Sequence, residues 1–192
     1  HIQTKAFGPG FPREFPTHVV LGTTLTAVSG VLNVCLMCHA HFEARLSKSL
    51  SSGMRSPALP VLLTWLVPGA GHLYQGRKLR AALVFICLVG CVLAGTILAD
   101  SSNLSRERHY YYWGGQFFAG LPALLLQWMW GAKQVVSRIT YAEAGTVFAS
   151  VAGMLNVLAM LDVYRSGELA WEAKDEEPGA EVASQTGEQV TS

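Results

Sequence analysis

A chain of 192 residues that is 51% apolar, only 14% charged and has a net charge of +1 is too oily for an ordinary soluble domain, in which about a quarter of residues are charged. No basic stripe is present to hold a nucleic acid. No Ser-His-Asp, paired-carboxylate, HExxH or phosphate-loop pattern marks a catalytic centre, so the chain is read as a non-enzyme.

The charges avoid five stretches: 15–42, 56–76, 81–99, 110–132 and 144–161. Each is close to the ~20 helical residues that cross a hydrocarbon core. The expected fold is therefore all-α, a polytopic transmembrane bundle of about five spans. The expected organisation is an N-terminal segment 1–16, a first span with its helical extension over 17–50 that is repeated at 140–173, a four-span unit over 51–174 and a disordered acidic tail over 175–192.

The first span, 19–38, is uncharged and runs on into His39, His41 and Phe42. A secretory signal peptide would instead need a basic start, a shorter oily run and a small-residue cleavage site. Its residues 22–37, GTTLTAVSGVLNVCLM, match 145–160, GTVFASVAGMLNVLAM, at eight of sixteen positions with a constant offset of 123. In each copy small residues recur every fourth position: Gly22, Thr26 and Gly30, then Gly145, Ala149 and Gly153. That spacing lets membrane helices approach closely. Asn33 and Asn156 follow three residues later, on nearly the same face. A buried amide there either bonds a neighbouring helix or binds a substrate. An even number of spans per unit makes the two copies parallel, and the first reads as the last helix of a preceding unit.

The end of the first span reads Cys35-x-x-Cys38-His39, the spacing of covalent haem attachment. Haem c is the one cofactor this pattern raises. Against it, the thiols lie inside or at the end of a membrane helix, and the second copy has no cysteine. Small polarisable Cys is ordinary in oily helices. No metal site is expected, because Cys87 and Cys91 lack the paired spacing of a zinc knuckle.

The second stretch, 59–74, is short and interrupted by Pro68-Gly69. It is either a full span with a loosened end or a re-entrant segment, whose freed backbone groups protein or water must cover. His72 and Gln75 are expected to satisfy the groups that Pro68 frees. The third span, 81–99, has ten Leu, Val, Ile or Phe residues. They contribute about −3 to −6 kcal/mol to insertion. The fourth, 113–132, carries Pro122 and two glutamines, with Tyr110 to Trp113 before it and Trp128 and Trp130 near its end. These aromatics fit belts at two opposite interfaces. The fifth, 145–161, ends at Asp162, which is expected to be solvated or paired with Arg165. Five crossings place seven Lys or Arg on each side, so the positive-inside rule decides nothing. The local cluster Arg77, Lys78 and Arg80 would put the hairpin tip and the N-terminus in the cytoplasm and the tail outside.

The hairpin Pro68-Gly69-x-Gly71-His72-x-Tyr74-x-Gly76 resembles that of the two-transmembrane-helix superfamily of small bacterial membrane proteins. With the later Ala152-Gly153-Met154-Leu155-Asn156 element ending at Asp162, residues 59–165 are similar to an uncharacterised family of planctomycete- and acidobacterial-type polytopic membrane proteins. The resemblance implies a multi-pass protein of a bacterial inner membrane and implies no activity. Three roles follow from the residues: a packing, assembly or accessory subunit that meets a membrane-protein partner or itself; a small transporter or channel with His72, Gln116, Gln127 and Asp162 along a polar path; or a haem or redox subunit.

Overall fold

The computed structural model of the chain describes residues 18–45, 56–104, 110–130 and 140–189. The expected segment 1–16 lies outside them. The described residues are all helical apart from turns. In chain order they form α1 (Val19–Arg45), α2 (Ala58–Leu66), α3 (Ala70–Tyr74), α4 (Lys78–Leu98), a 3-10 turn (Ser102–Leu104), α5 (Tyr110–Phe117), α6 (Leu121–Trp130) and α7 (Ala142–Gln189). The chain divides into two compact units, 1–34 and 35–192, and α1 runs through the boundary.

Three helical stretches are long and apolar enough to cross a membrane: Leu21–Arg45, Lys78–Leu98 and Ala142–Ala170. Their outer faces carry Leu79, Ile86 and Ile97 on α4 and Phe148, Met154 and Leu158 on α7, all more than half exposed. Such a continuous oily surface in a folded chain marks contact with lipid or another protein.

The other two sequence stretches are broken helices. Segment 59–74 is α2, a turn through Pro68-Gly69 and α3, with Gly69 at φ 85°. Folding α3 back onto α2 presses Gly71 against the Pro60 carbonyl and the Thr64 hydroxyl, leaving no room for a Cβ. The backbone therefore turns back on itself after α2.

Segment 113–132 departs from the expected straight crossing. It is α5 and α6 with Gly120 between them at φ 74°. The two arms lie side by side, because Trp113 Nε1 donates to Gln127 Oε1 at 3.1 Å. Glycine adopts this left-handed conformation without the Cβ clash of other residues. Hydropathy cannot tell a crossing from a hairpin of the same composition, and the turn depends on one residue.

The two long helices of the second unit confirm the fold-back. Residues near the end of α4 meet the start of α7, with Gly95 against Gly145 and Ala149. The start of α4 meets the far part of α7, with Arg80 3.6 Å from Asp162. Helices α4 and α7 are thus antiparallel. A straight crossing between them would have made them parallel. Their contact is reciprocal: a Cβ on Gly95 would strike the Gly145 carbonyl, and one on Gly145 the Gly95 carbonyl. Each glycine has a small residue four positions on, Ala99 and Ala149, the spacing that permits close backbone approach.

The return also moves the aromatics. Tyr111, Tyr112, Trp128 and Trp130 are exposed at the base of the α5–α6 hairpin, one belt instead of two. Trp113 is not in that belt. It is nearly buried and stacks on Phe117 with ring centroids 5.7 Å apart. The core beside it joins Val92, Leu104, Ala119, Ala123, Leu126 and Ala152. Asn103, fully buried, donates to Gln116 Oε1 at 3.1 Å and accepts from Gln116 Nε2 on its own carbonyl at 3.2 Å. This pair fastens the turn after α4 to α5.

Helix α7 continues to Gln189, past Asp175, where an unstructured tail was expected. Its Glu, Ala and Gln residues are good helix formers, while the Pro178-Gly179 step is not.

The glycine contacts order three substitutions. Gly120→Ala forces a non-glycine residue to φ 74° and drives its Cβ into the Trp65 carbonyl, with a cost of at least about 1–3 kcal/mol. Gly153→Ala meets the Gly115 carbonyl and also destabilises. Gly30→Ala meets nothing within 4 Å and gains helix propensity. Thermal unfolding in mild detergent should show large drops for the first two and none for the third.

Candidate functional site

Two polar constellations stand out in the second unit. The first lies where the hairpins meet. Helices α2 and α5 both end there, and the last carbonyls of a helix have no partner within it. Asn156 of α7 supplies one. Its Nδ2 donates to the Thr64 carbonyl at 3.0 Å and to the Phe118 carbonyl at 2.9 Å. The side chain is fully buried. Two helix C-termini, each with partial negative charge, converge on a group with two N–H donors and no negative charge. An Asp at this position would repel both. Beside it Trp65 of α2 packs on Phe117 of α5 at 5.5 Å, and Gly120 lies against the Trp65 carbonyl.

The small-residue stripe of α7 brings Asn156 this close. Gly145 and Ala149 pack on Gly95 and Ala99 of α4, and Gly153 packs on the Gly115 carbonyl and Ala119. Ser150 donates to the Tyr112 carbonyl at 2.8 Å. The matching stripe on α1 is differently placed. Gly22 and Gly30 have nothing within 4 Å of a Cβ, and Thr26 and Asn33 are exposed. Thr26 Oγ1 returns to the Gly22 carbonyl of its own helix at 2.9 Å. One motif is buried in α7 and open in α1.

The second constellation surrounds Asp162. Its Oδ2 lies 3.6 Å from Arg80, 4.0 Å from Arg77 and 3.8 Å from His72 Nδ1. Arg77 also donates to Ser166 Oγ. Asp162 is half exposed, and the arginines beside it are Arg77 and Arg80 of the hairpin. His72 is 2% exposed. Gln75 does not serve the Pro68 turn; its Nε2 crosses to the Val163 carbonyl of α7 at 2.8 Å. The turn closes with backbone bonds, Ala70 N to Val67 O and Leu73 N to Gly69 O. Tyr74 is exposed, and Gly76 turns the chain into α4 at φ 80°.

The polar residues once grouped along a path separate into different contacts: Gln116 with Asn103, Gln127 with Trp113, and His72 with Asp162. Cys35 is buried and Cys38 half-buried, while His39 Nδ1 lies 2.9 Å from Ser56 Oγ. Among the described residues no three His, Cys, Asp or Glu side chains gather as a metal site would require.

Contacts the sequence reading missed tie α1 to α7. His41 Nδ1 meets Tyr164 Oη at 2.7 Å, and Arg45 pairs with Glu168. Both pairs are 123 residues apart, the offset of the repeated motif, so from Cys35 onward α1 runs parallel to α7 with equivalent positions side by side. The repeat of 17–50 in 140–173 aligns these positions, but alignment alone does not say that they touch. The partner of the Gly145 stripe was also legible, as Gly95-x-x-x-Ala99.

Replacing Asn156 by Leu strands the buried Thr64 carbonyl, at about 1–3 kcal/mol, and the part-buried Phe118 carbonyl. Asn33→Leu removes an exposed amide, strands no buried carbonyl and should cost less than Asn156→Leu. Unfolding of the two variants in the same detergent checks the difference; equal losses would contradict the assigned role of Asn156.

Comparison with curated proteins and with solved structures finds no match. The profile of a family of unknown function, DUF6677, matches residues 59–176, which include both hairpins, α4, Asn156 and the Asp162 cluster. This chain therefore belongs to the DUF6677 family, whose matched region is the hairpin-and-helix unit described above.

Proposed function

We propose that the chain is a non-catalytic, membrane-embedded assembly subunit that pairs with a second copy of itself through its first span. The observation that carries this reading is the unequal use of one motif. In α7 the Gly145–Asn156 face is filled by α4 and the hairpin ends; in α1 the Gly22–Asn33 face is open. A small-residue face in lipid gains by close packing against another helix. Two copies inserted in the same sense present the same stripe to each other, which makes a self-complementary interface about a two-fold axis. Asn33 of each copy then lies near that axis, where paired amides contribute roughly 0.6–2 kcal/mol.

The same reading sets the membrane topology: α1, α4 and α7 cross, while α2–α3 and α5–α6 enter from opposite sides and return. Irregular backbone at membrane depth is tolerated where protein covers it, and Asn156 supplies that cover. Among the described residues from 35 on, Arg45, Arg77, Lys78, Arg80 and Arg165 all lie at one end of the long helices. Positive charge in short loops favours the cytoplasmic side, which puts the Asp162 cluster and the acidic tail there.

Assembly is tested by the mass of the detergent-solubilised protein. The wild type should be a dimer. Gly22→Leu with Gly30→Leu should give a monomer that still unfolds cooperatively, at a temperature lowered only by the loss of the dimer contact. A wild type that is monomeric throughout, or a dimer indifferent to both leucines, would overturn the proposal.

A further inference from the structure

A groove of about 380 Å³ runs between α4 and α7 on the outside of the second unit. Its walls are apolar: Leu83, Cys87 and Leu88 on one side, Leu155 and Ala159 on the other. One end is different. His72 and Asp162 line it, with Arg77 and Arg80 beside them. We infer that this groove is a binding site for one anionic phospholipid, with an acyl chain between α4 and α7 and the phosphate at Arg77 and Arg80.

Three observations support this occupant. Charge comes first: two guanidinium groups face one carboxylate, and Lys78 adds a third cation next in the chain. The end is net positive after Asp162 is counted. Arg80 is 62% exposed, and a guanidinium has five N–H donors, so binding a carboxylate leaves donors for a phosphate. Second, His72 Nδ1 is buried and has no hydrogen bond among the described residues. Its distance to Asp162, 3.8 Å, is too long for one. A buried polar atom at one end of an oily groove suits a ligand that is polar at one end only. Third, the two kinds of lining are ordered along the groove as a phospholipid is ordered along its length, apolar beside α4 and α7 and basic at the α3–α4 turn. Basic pockets between membrane helices on the cytoplasmic side bind anionic headgroups, and the proposed topology puts this end on that side. The site itself does not depend on dimerisation.

Native mass spectrometry of the full chain, released from mild detergent after incubation with equal amounts of phosphatidylglycerol and phosphatidylcholine of identical chains, tests the site. The wild type should retain one phosphatidylglycerol with about a tenfold preference, the scale of one charge-assisted hydrogen bond. Arg80→Gln should reduce the preference several-fold, and Arg77→Gln with Arg80→Gln should abolish it. Ala159→Trp, which fills the groove, should lose both lipids while its unfolding temperature holds. Inorganic phosphate should not displace the lipid. Equal retention of the two lipids by the wild type would overturn the inference. So would a preference that survives loss of both arginines, lipid retention unchanged in a folded Ala159→Trp variant, or displacement by inorganic phosphate, which would mark a free-anion site.

Discussion

A helix that stops inside a non-aqueous medium exposes carbonyls that nothing in that medium can satisfy. Two helices of this chain, α2 and α5, stop beside the same point, and Asn156 donates one N–H to each, to Thr64 and to Phe118. A carbonyl buried in the protein and left without a donor costs about 1–3 kcal/mol, so both breaks depend on the amide. The position of α7 follows. Asn156 reaches both carbonyls only because Gly145, Ala149 and Gly153 let α7 lie directly on the backbones of α4 and α5. The glycine stripe and the asparagine are one device: the first gives approach, the second completes the hydrogen bonding.

The hairpins determine everything else about the arrangement. Because α5–α6 returns, α4 and α7 are antiparallel, and their contact becomes reciprocal about Gly95 and Gly145. Because α2–α3 returns, its basic turn comes back to the level of Asp162, where Arg77 and Arg80 meet the carboxylate. Polar groups thus lie at one end of the groove between α4 and α7, and aromatic side chains lie around the base of the other hairpin. From Cys35 onward α1 runs beside α7, tied by His41–Tyr164 and Arg45–Glu168. Its earlier residues keep the Gly22–Asn33 face open.

Much of this was legible in the residues. Charge-free runs mark the three long helices because insertion depends on composition alone. The Pro68-Gly69 step marks a break because proline and glycine act locally. The Gly/Asn motif identifies the packing face of α7 because its spacing matches the helix repeat. The return at Gly120 was hidden: an uncharged run of twenty-odd residues has the same hydropathy whether it crosses or folds back, and the two aromatic clusters around it suggested two interfaces. Glutamine at 75 and the Asp162 cluster were misplaced for a related reason. Their partners, Val163 and Arg77 with Arg80, lie more than eighty residues away, and only the fold brings them together. The two copies share their Gly and Asn positions, yet among the described residues only one is buried. Sequence carries the capacity to pack, while the neighbours decide whether it is used.

The central claim is that α5–α6 enters and returns, with its end held on Asn156. It is tested most directly by single cysteines placed at Tyr111 and Tyr141 in a chain whose four native cysteines are replaced by alanine. The probe is a membrane-impermeant maleimide applied to sealed vesicles of known orientation. Both positions should react from the same side, opposite to a cysteine at Leu169. Labelling of Tyr111→Cys and Tyr141→Cys from opposite sides would mean that the segment between them crosses, and the account built on Asn156 would fail.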